Sequence, residues 1–168
     1  MTVLGCGPTG ELWSGEGFCI GVNDCEKFGK PVSALVCVNS KFELPREQII
    51  KRTVAPEGFY SQLLYWVNQP NFKHLSRLVN YTKQKTTDTI YTSRTSPFVA
   101  ISLAAYLGHK EIVLYGVDFD AHPNVHGHLL KDEVRLYRKY ADALLLSGIV
   151  VYLGTDYGAL SGFLPVKK

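Results

Sequence analysis

The feature that most constrains this chain is a series of short apolar runs, each closing on glycine or a small polar residue. "TVLGCG", "GFCIGVN" and "VSALVCVNS" follow one another near the start, and "TIYTS", "EIVLYGVDF" and "GIVVYLG" come later. Each is too short for a helix and most are rich in β-branched residues, so they read as strands. Strands that are apolar throughout, instead of alternately, are buried on both faces, as in a parallel sheet covered by helices. The expected fold is therefore α/β: a Rossmann-like parallel sheet with helices on both faces. At 168 residues, one nucleotide-binding α/β domain over 1–168 accounts for the whole chain.

The covering helices are legible in two places. Ser96 to Leu107 is apolar nearly all round and should be buried. In Lys131 to Leu146, Val134, Tyr137, Ala141 and Leu144 recur at helical spacing against Arg135, Arg138, Lys139 and Asp142. From Leu44 to Lys85 the helical patterns, around "FYSQLLYWV" and "FKHLSRLV", are weaker and broken by Pro56 and Pro70. A helical middle segment packed over one sheet edge is expected there.

Charge and cysteine usage narrow the partners. The formal net charge is +3, with the basic residues spread along the chain, which argues against nucleic acid as a partner. The longest apolar stretches, such as "ALLLSGIVVYLG", are too short and too interrupted for a stable membrane insertion, and the N-terminus has no charged region leading into an apolar signal core. A soluble, cytoplasmic protein is expected. Cys6, Cys19, Cys25 and Cys37 form no CxxC pair, and three lie in apolar strand runs, so buried free thiols are expected in preference to zinc or disulfides.

In an open parallel sheet, ligands bind beyond the carboxyl ends of the strands, where the strand order switches. The chemically interesting segments all occupy such ends. Gly5-Cys6-Gly7-Pro8-Thr9-Gly10 follows the first run, Asn23-Asp24 the second, Asn39-Ser40 the third, Thr92 to Ser96 the fourth, and "DFDAHPNVHGH" the fifth. Glycines in the first turn let backbone N–H groups approach a ligand, with Thr9 near a helix start that favours an anion. Asn23 and Asn39 offer donor and acceptor together, although either serves equally as a cap on the next helix.

"DFDAHPNVHGH" admits three readings. Asp118 and Asp120 form a DxD able to hold a divalent cation against a diphosphate, which the histidines would extend toward a softer metal. Alternatively His128 is a general base, since imidazole titrates near neutrality. Or the loop is structural, with Asp118 capping or bracing it and the histidines solvent-exposed. With His128 as the base candidate, Asp118 is expected to brace the loop and His122 and His126 to lie nearer the surface. His128 stands just ahead of the long helix, whose first turn would fix its direction.

The order of segments resembles the bacterial sialyltransferases that build terminal sialic acid on lipooligosaccharide, together with the wider superfamily that includes archaeal 6-hydroxymethylpterin diphosphokinase. The resemblance rests on "GCGPT", Asn23, Asn39, Thr95-Ser96, "LGHKEIVLYGVDF" and Gly127-His128, in that order, and on the closing "ALSGFLP". It touches most of the chain and is most specific from Thr95 to Phe119.

The resemblance implies a nucleotide-sugar donor, CMP-sugar foremost, and an acceptor glycan or small molecule. Gly5, Gly7, Thr9, Asn23, Asn39, Thr95 and Ser96 would be nucleotide-binding. His128 would deprotonate the acceptor hydroxyl in an inverting transfer, with Asp118 and Asp120 beside it at the catalytic centre. No metal or other cofactor is implied, because tyrosine hydroxyls stabilise the leaving phosphate in that family. This chain departs from the pattern at Cys6, where the family has Asn, and at Asp120, where it has the first leaving-group tyrosine. The second such tyrosine has no counterpart in the shorter loop before His128. A carboxylate facing phosphate repels it unless protonated or bridged by a cation. Two alternatives follow: a magnesium-dependent, diphosphokinase-like enzyme and a non-catalytic nucleotide-binding module.

Overall fold

In the computed structural model, residues 1–36, 73–74, 91–93, 95–120 and 127–168 are described, with the backbone alone at 73, 74, 92 and 127–130. Seven strands appear among them: β1 (Thr2–Leu4), β2 (Cys19–Val22), β3 (Ala34–Val36), β4 (Lys73–His74), β5 (Tyr91–Thr92), β6 (Glu111–Tyr115) and β7 (Val150–Leu153). The two α-helices are α1 (Ser96–Tyr106) and α2 (Gly127–Leu146), and short 3₁₀ helices span Pro8–Leu12 and Cys25–Phe28.

Five of these strands form one all-parallel sheet in the order β3-β2-β1-β6-β7. The α/β parallel-sheet expectation is met. The order grows outward in both directions from β1, so the switch point lies between β1 and β6. Right-handed crossovers then require the β1–β2 and β2–β3 connections on one face, and the segments before and after β6 on the other.

The core divides in that way. Val3, Ile20, Val22, Ala34, Val36, Ile112, Leu114, Val151 and Leu153 pack with Phe98 and Leu103 of α1 and Tyr137, Tyr140 and Leu144 of α2. Their strand neighbours Leu4, Cys19 and Leu35 pack with Trp13 and Cys25, which lie in or beside the 3₁₀ helices. Both faces therefore carry helical cover, α-helical on one and 3₁₀ on the other.

Helix α1 is enclosed as its composition requires: Phe98 to Ala105 are all buried. On α2, Tyr137 and Leu144 are buried, and Val134 and Ala141 pack at the margin of the core. This helix begins at Gly127, not Lys131, which places His128 in its first turn instead of ahead of it.

Two further expectations are corrected. The described part of the "TIYTS" strand, Tyr91–Thr92, pairs with β4 in a separate two-stranded parallel sheet and is not a fourth member of the main one. The Tyr91 N–H donates to Ser102 Oγ of α1 at 2.6 Å, so β5 is held by the helix. Lys73–His74, inside the run "FKHLSRLV", are extended and not helical, because pairing to Tyr91–Thr92 supplies the backbone partners that a helix would have supplied. The rest of the middle segment, with Asn39 and Cys37, lies outside the described residues.

Candidate functional site at the carboxyl edge of the sheet

Parallel strands bring the ends of β1, β2 and β6 to one edge. At the switch point the β1 and β6 loops interlock. The Gly5 N–H donates to Tyr115 O at 2.7 Å and the Gly7 N–H to Gly116 O at 2.8 Å. A β-carbon at Gly5 would stand 2.1 Å from Gly116 O, and one at Gly7 would stand 2.3 Å from Asp118 Oδ2. Only glycine permits this approach.

Thr9 and Asp118 complete the clamp. The Thr9 N–H donates to Asp118 Oδ2 at 3.0 Å and its hydroxyl to Asp118 Oδ1 at 2.5 Å, while the Gly116 N–H donates to Thr9 Oγ1 at 2.7 Å. The Gly10 N–H turns back onto Gly7 O at 3.0 Å. The amides of Gly5, Gly7, Thr9 and Gly10 thus have partners within the fold, and what the glycines approach is the neighbouring loop. Asp118 is buried and accepts from Thr9 through both carboxylate oxygens, and Ala159 N–H takes its backbone carbonyl at 2.7 Å. That is the geometry of a brace.

The DxD motif does not present its carboxylates together. Phe119, between them, has φ 55, a left-handed conformation that costs a bulky residue about 1–2 kcal/mol. Its ring packs edge-on against Tyr137 with centroids 5.0 Å apart. Beyond this turn Asp120 is exposed and accepts a hydrogen bond from the Tyr157 hydroxyl, from the segment after β7. The Asp120 carboxylate, and more distantly that of Asp118, raises the Tyr157 pKa, so the phenol stays protonated. Among the described residues no group of three or more His, Cys, Asp or Glu is arranged to hold a metal ion. His122 and His126 lie outside the described residues, and of His128 the helical backbone is described.

One strand away the chemistry differs. Asn23, at the end of β2, also has a left-handed backbone, φ 51, which asparagine tolerates. Its N–H donates to Val36 O at 3.1 Å, and its Oδ1 accepts the Ser96 hydroxyl at 2.7 Å. With Oδ1 committed, the amide presents its Nδ2 donors, and no described residue accepts them. The β1 loop abuts this point, since the Cys6 thiol donates to Val22 O at 3.2 Å. Burial, assisted by the Asp24 carboxylate, pushes that thiol's pKa well above the ordinary value, which makes it a poor nucleophile.

Thr95, at the N-cap of α1, is tied to α2. Its hydroxyl donates to Glu133 Oε2 at 3.3 Å and lies 2.8 Å from the Tyr137 hydroxyl and 3.1 Å from Ser93 Oγ. Glu133 is buried. Burial holds the Tyr137 pKa far above its usual value, with the Glu133 charge adding to the effect against the opposing Thr95 hydrogen bond.

The structure therefore brings Asn23 together with Ser96, and Gly7 and Thr9 together with Asp118. Glu133, Tyr137, Ser93 and Tyr157 are additions that sequence reasoning missed. A glutamate on the buried stripe of an amphipathic helix, one turn before Tyr137, is the signal that could have revealed the first. Comparison with protein-family models, curated proteins and solved structures gives no match.

Proposed function

We propose that this chain is a sialyltransferase-like glycosyltransferase that binds a nucleotide-sugar, with a CMP-sugar as the preferred donor, at the carboxyl edge beside β1 and β2. The observation that carries the reading is the Ser96–Asn23 hydrogen bond. Two residues 73 positions apart, both assigned to the nucleotide by the resemblance, meet at 2.7 Å on a left-handed backbone. Asn23 Nδ2 then faces a ligand acceptor such as a base carbonyl, ribose oxygen or phosphate oxygen. Gly7 and Thr9 contribute the rigid wall of the site, since their amides serve the clamp.

In this reading His128 takes the proton of the acceptor hydroxyl as its oxygen attacks the anomeric carbon. The bond to the phosphate oxygen breaks with inversion, and CMP departs with the electron pair. Asp118 acts through the loop it braces, and Asp120 with Tyr157 forms the outer rim.

The test is a thermal-shift screen of CMP, CMP-sugars, UDP-sugars and nucleoside triphosphates, with magnesium and with chelator. A ligand at a hundred times its Kd stabilises the native state by about 2.7 kcal/mol. CMP and CMP-sugars are expected to raise the midpoint equally in both buffers, and acceptor glycans to release CMP. A shift requiring both a triphosphate and magnesium supports the diphosphokinase-like alternative. Tight CMP binding without turnover supports the binding module. No shift with any nucleotide overturns the reading.

A further inference from the structure

We propose that Glu133 and Tyr137 are positioning residues for the Asn23–Ser96 site: from α2 they grip Thr95, the residue before Ser96, and so register the helix that begins Gly127-His128 against the nucleotide subsite. The inference rests on the functional reading above for its ligand, but its geometry stands without one.

Thr95 Oγ1 has one proton, and it is given to Glu133. The contact between Thr95 and the Tyr137 hydroxyl at 2.8 Å must then be donated by Tyr137. The phenol is protonated at any ordinary pH, because burial opposes its ionisation. By the same count the Ser93 hydroxyl donates to Thr95, leaving a Ser93 lone pair for the Thr95 N–H at 3.1 Å. The glutamate charge thus fixes the polarity of the whole network.

A glutamate 5% exposed, with no ion pair to any described Lys, Arg or His, is an expensive way to hold one hydroxyl. The neighbouring end of α1 offsets part of that cost, since its first-turn amides make it the positive pole of the helix. Thr95 does not cap α1 through its own side chain. Its hydroxyl is turned to α2 instead, and the next residue, Ser96, is turned to Asn23. The rings of Phe98 and Phe119 pack edge-on against Tyr137 at 5.2 and 5.0 Å, so removing only the Tyr137 hydroxyl leaves the core contacts in place.

The experiment compares Tyr137→Phe and Glu133→Gln with the unaltered chain by three readouts: the unfolding midpoint, the Asn23 side-chain amide signals in NMR, and CMP affinity by calorimetry. Tyr137→Phe is expected to keep the midpoint within a few degrees. It should shift and broaden the Asn23 Nδ2 signals and weaken CMP about three- to tenfold. Glu133→Gln should act in the same direction, and the double variant should add little, because both changes act through Thr95. If Asn23 responds while no variant, and not the unaltered chain either, binds CMP, the positioning role stands and the CMP reading fails. Unchanged Asn23 signals in Tyr137→Phe overturn the proposal, whatever CMP does.

Discussion

Around Gly7 the loop amides and both oxygens of Asp118 turn inward onto the adjoining loops, whereas around Asn23, one strand away, an amide remains whose donors no described residue accepts. The two places look alike as sequence, since both are small polar residues after an apolar strand. The difference is in what lies beside them. Gly5 and Gly7 sit at the switch point, where the β6 loop is close enough to accept every N–H they offer. Asn23 sits between strands of the same half-sheet, and its partner arrives from the first residue of α1, which occupies only one end of its amide. A glycine-rich turn is thus the structural element here, and the asparagine beside it is the candidate binder.

The largest effect expected separates base from brace. His128→Ala should lower transfer by about 10²- to 10⁴-fold, roughly 3–5 kcal/mol in the barrier, with CMP affinity nearly unchanged. Steady-state turnover and calorimetry measure both quantities. Unchanged turnover would remove His128 from the chemistry.

Next come the clamp residues, whose loss should be felt in stability before function. Gly5→Ala forces a β-carbon into Gly116 O and is expected to cost about 3 kcal/mol in urea unfolding, at the upper end for overpacking. Asp118→Ala strips Thr9 of two charge-assisted partners and should cost about 2–3 kcal/mol. Asn23→Gly sharpens the contrast, since it keeps the left-handed backbone and deletes only the amide. Stability should fall by about 1 kcal/mol, because buried Ser96 loses an acceptor, while CMP affinity falls about tenfold. If Gly5→Ala is tolerated and Asn23→Gly unfolds the chain, the assignment of the two regions is reversed.

An effect confined to alkaline pH lies behind the clamp. Burial pushes the thiols of Cys19 and Cys25 from an ordinary value of 9.0 up to about 12. Above pH 9 the unfolded chain releases these protons and the folded chain retains them, so their contribution to stability is full below pH 9 and declines toward pH 12. Urea midpoints across that range should fall less steeply in Cys19→Ala than in the parent. Native labelling of both thiols should be slow at neutral pH.

The sheet was legible because continuous apolar runs can be buried only on both faces, and α1 because Phe98 to Ala105 leave no polar face to solvate. The starting residue of α2 was not, since "GHLLKDE" lacks a Ser, Thr, Asp or Asn cap at the observed boundary. The separate pairing of Tyr91–Thr92 depends on Ser102 of α1 and on Lys73–His74, contacts that no local pattern encodes. At the site, the residue types were legible and their allegiance was not. Asp118 faces Thr9, and Asp120 lies beyond a left-handed Phe119, a conformation that phenylalanine disfavours and that no local pattern announces. Glu133 was overlooked for a related reason: a charged residue on a helix is assigned to solvent until the opposing element is known.

The central place of β1 also has a consequence in time. Thr2–Leu4 meet Cys19, Ile20 and Gly21 of β2 about 17 positions further along the chain, but their other edge pairs with Val113, Leu114 and Tyr115. While the chain is being synthesised from its N-terminus, the middle strand of the sheet must wait with one side unpaired until more than a hundred further residues have emerged. Closing so long a loop is what slows folding in proteins dominated by distant contacts. In that interval Val3 and Leu4 stand half-covered, the condition under which partly folded chains misassemble or are captured by chaperones.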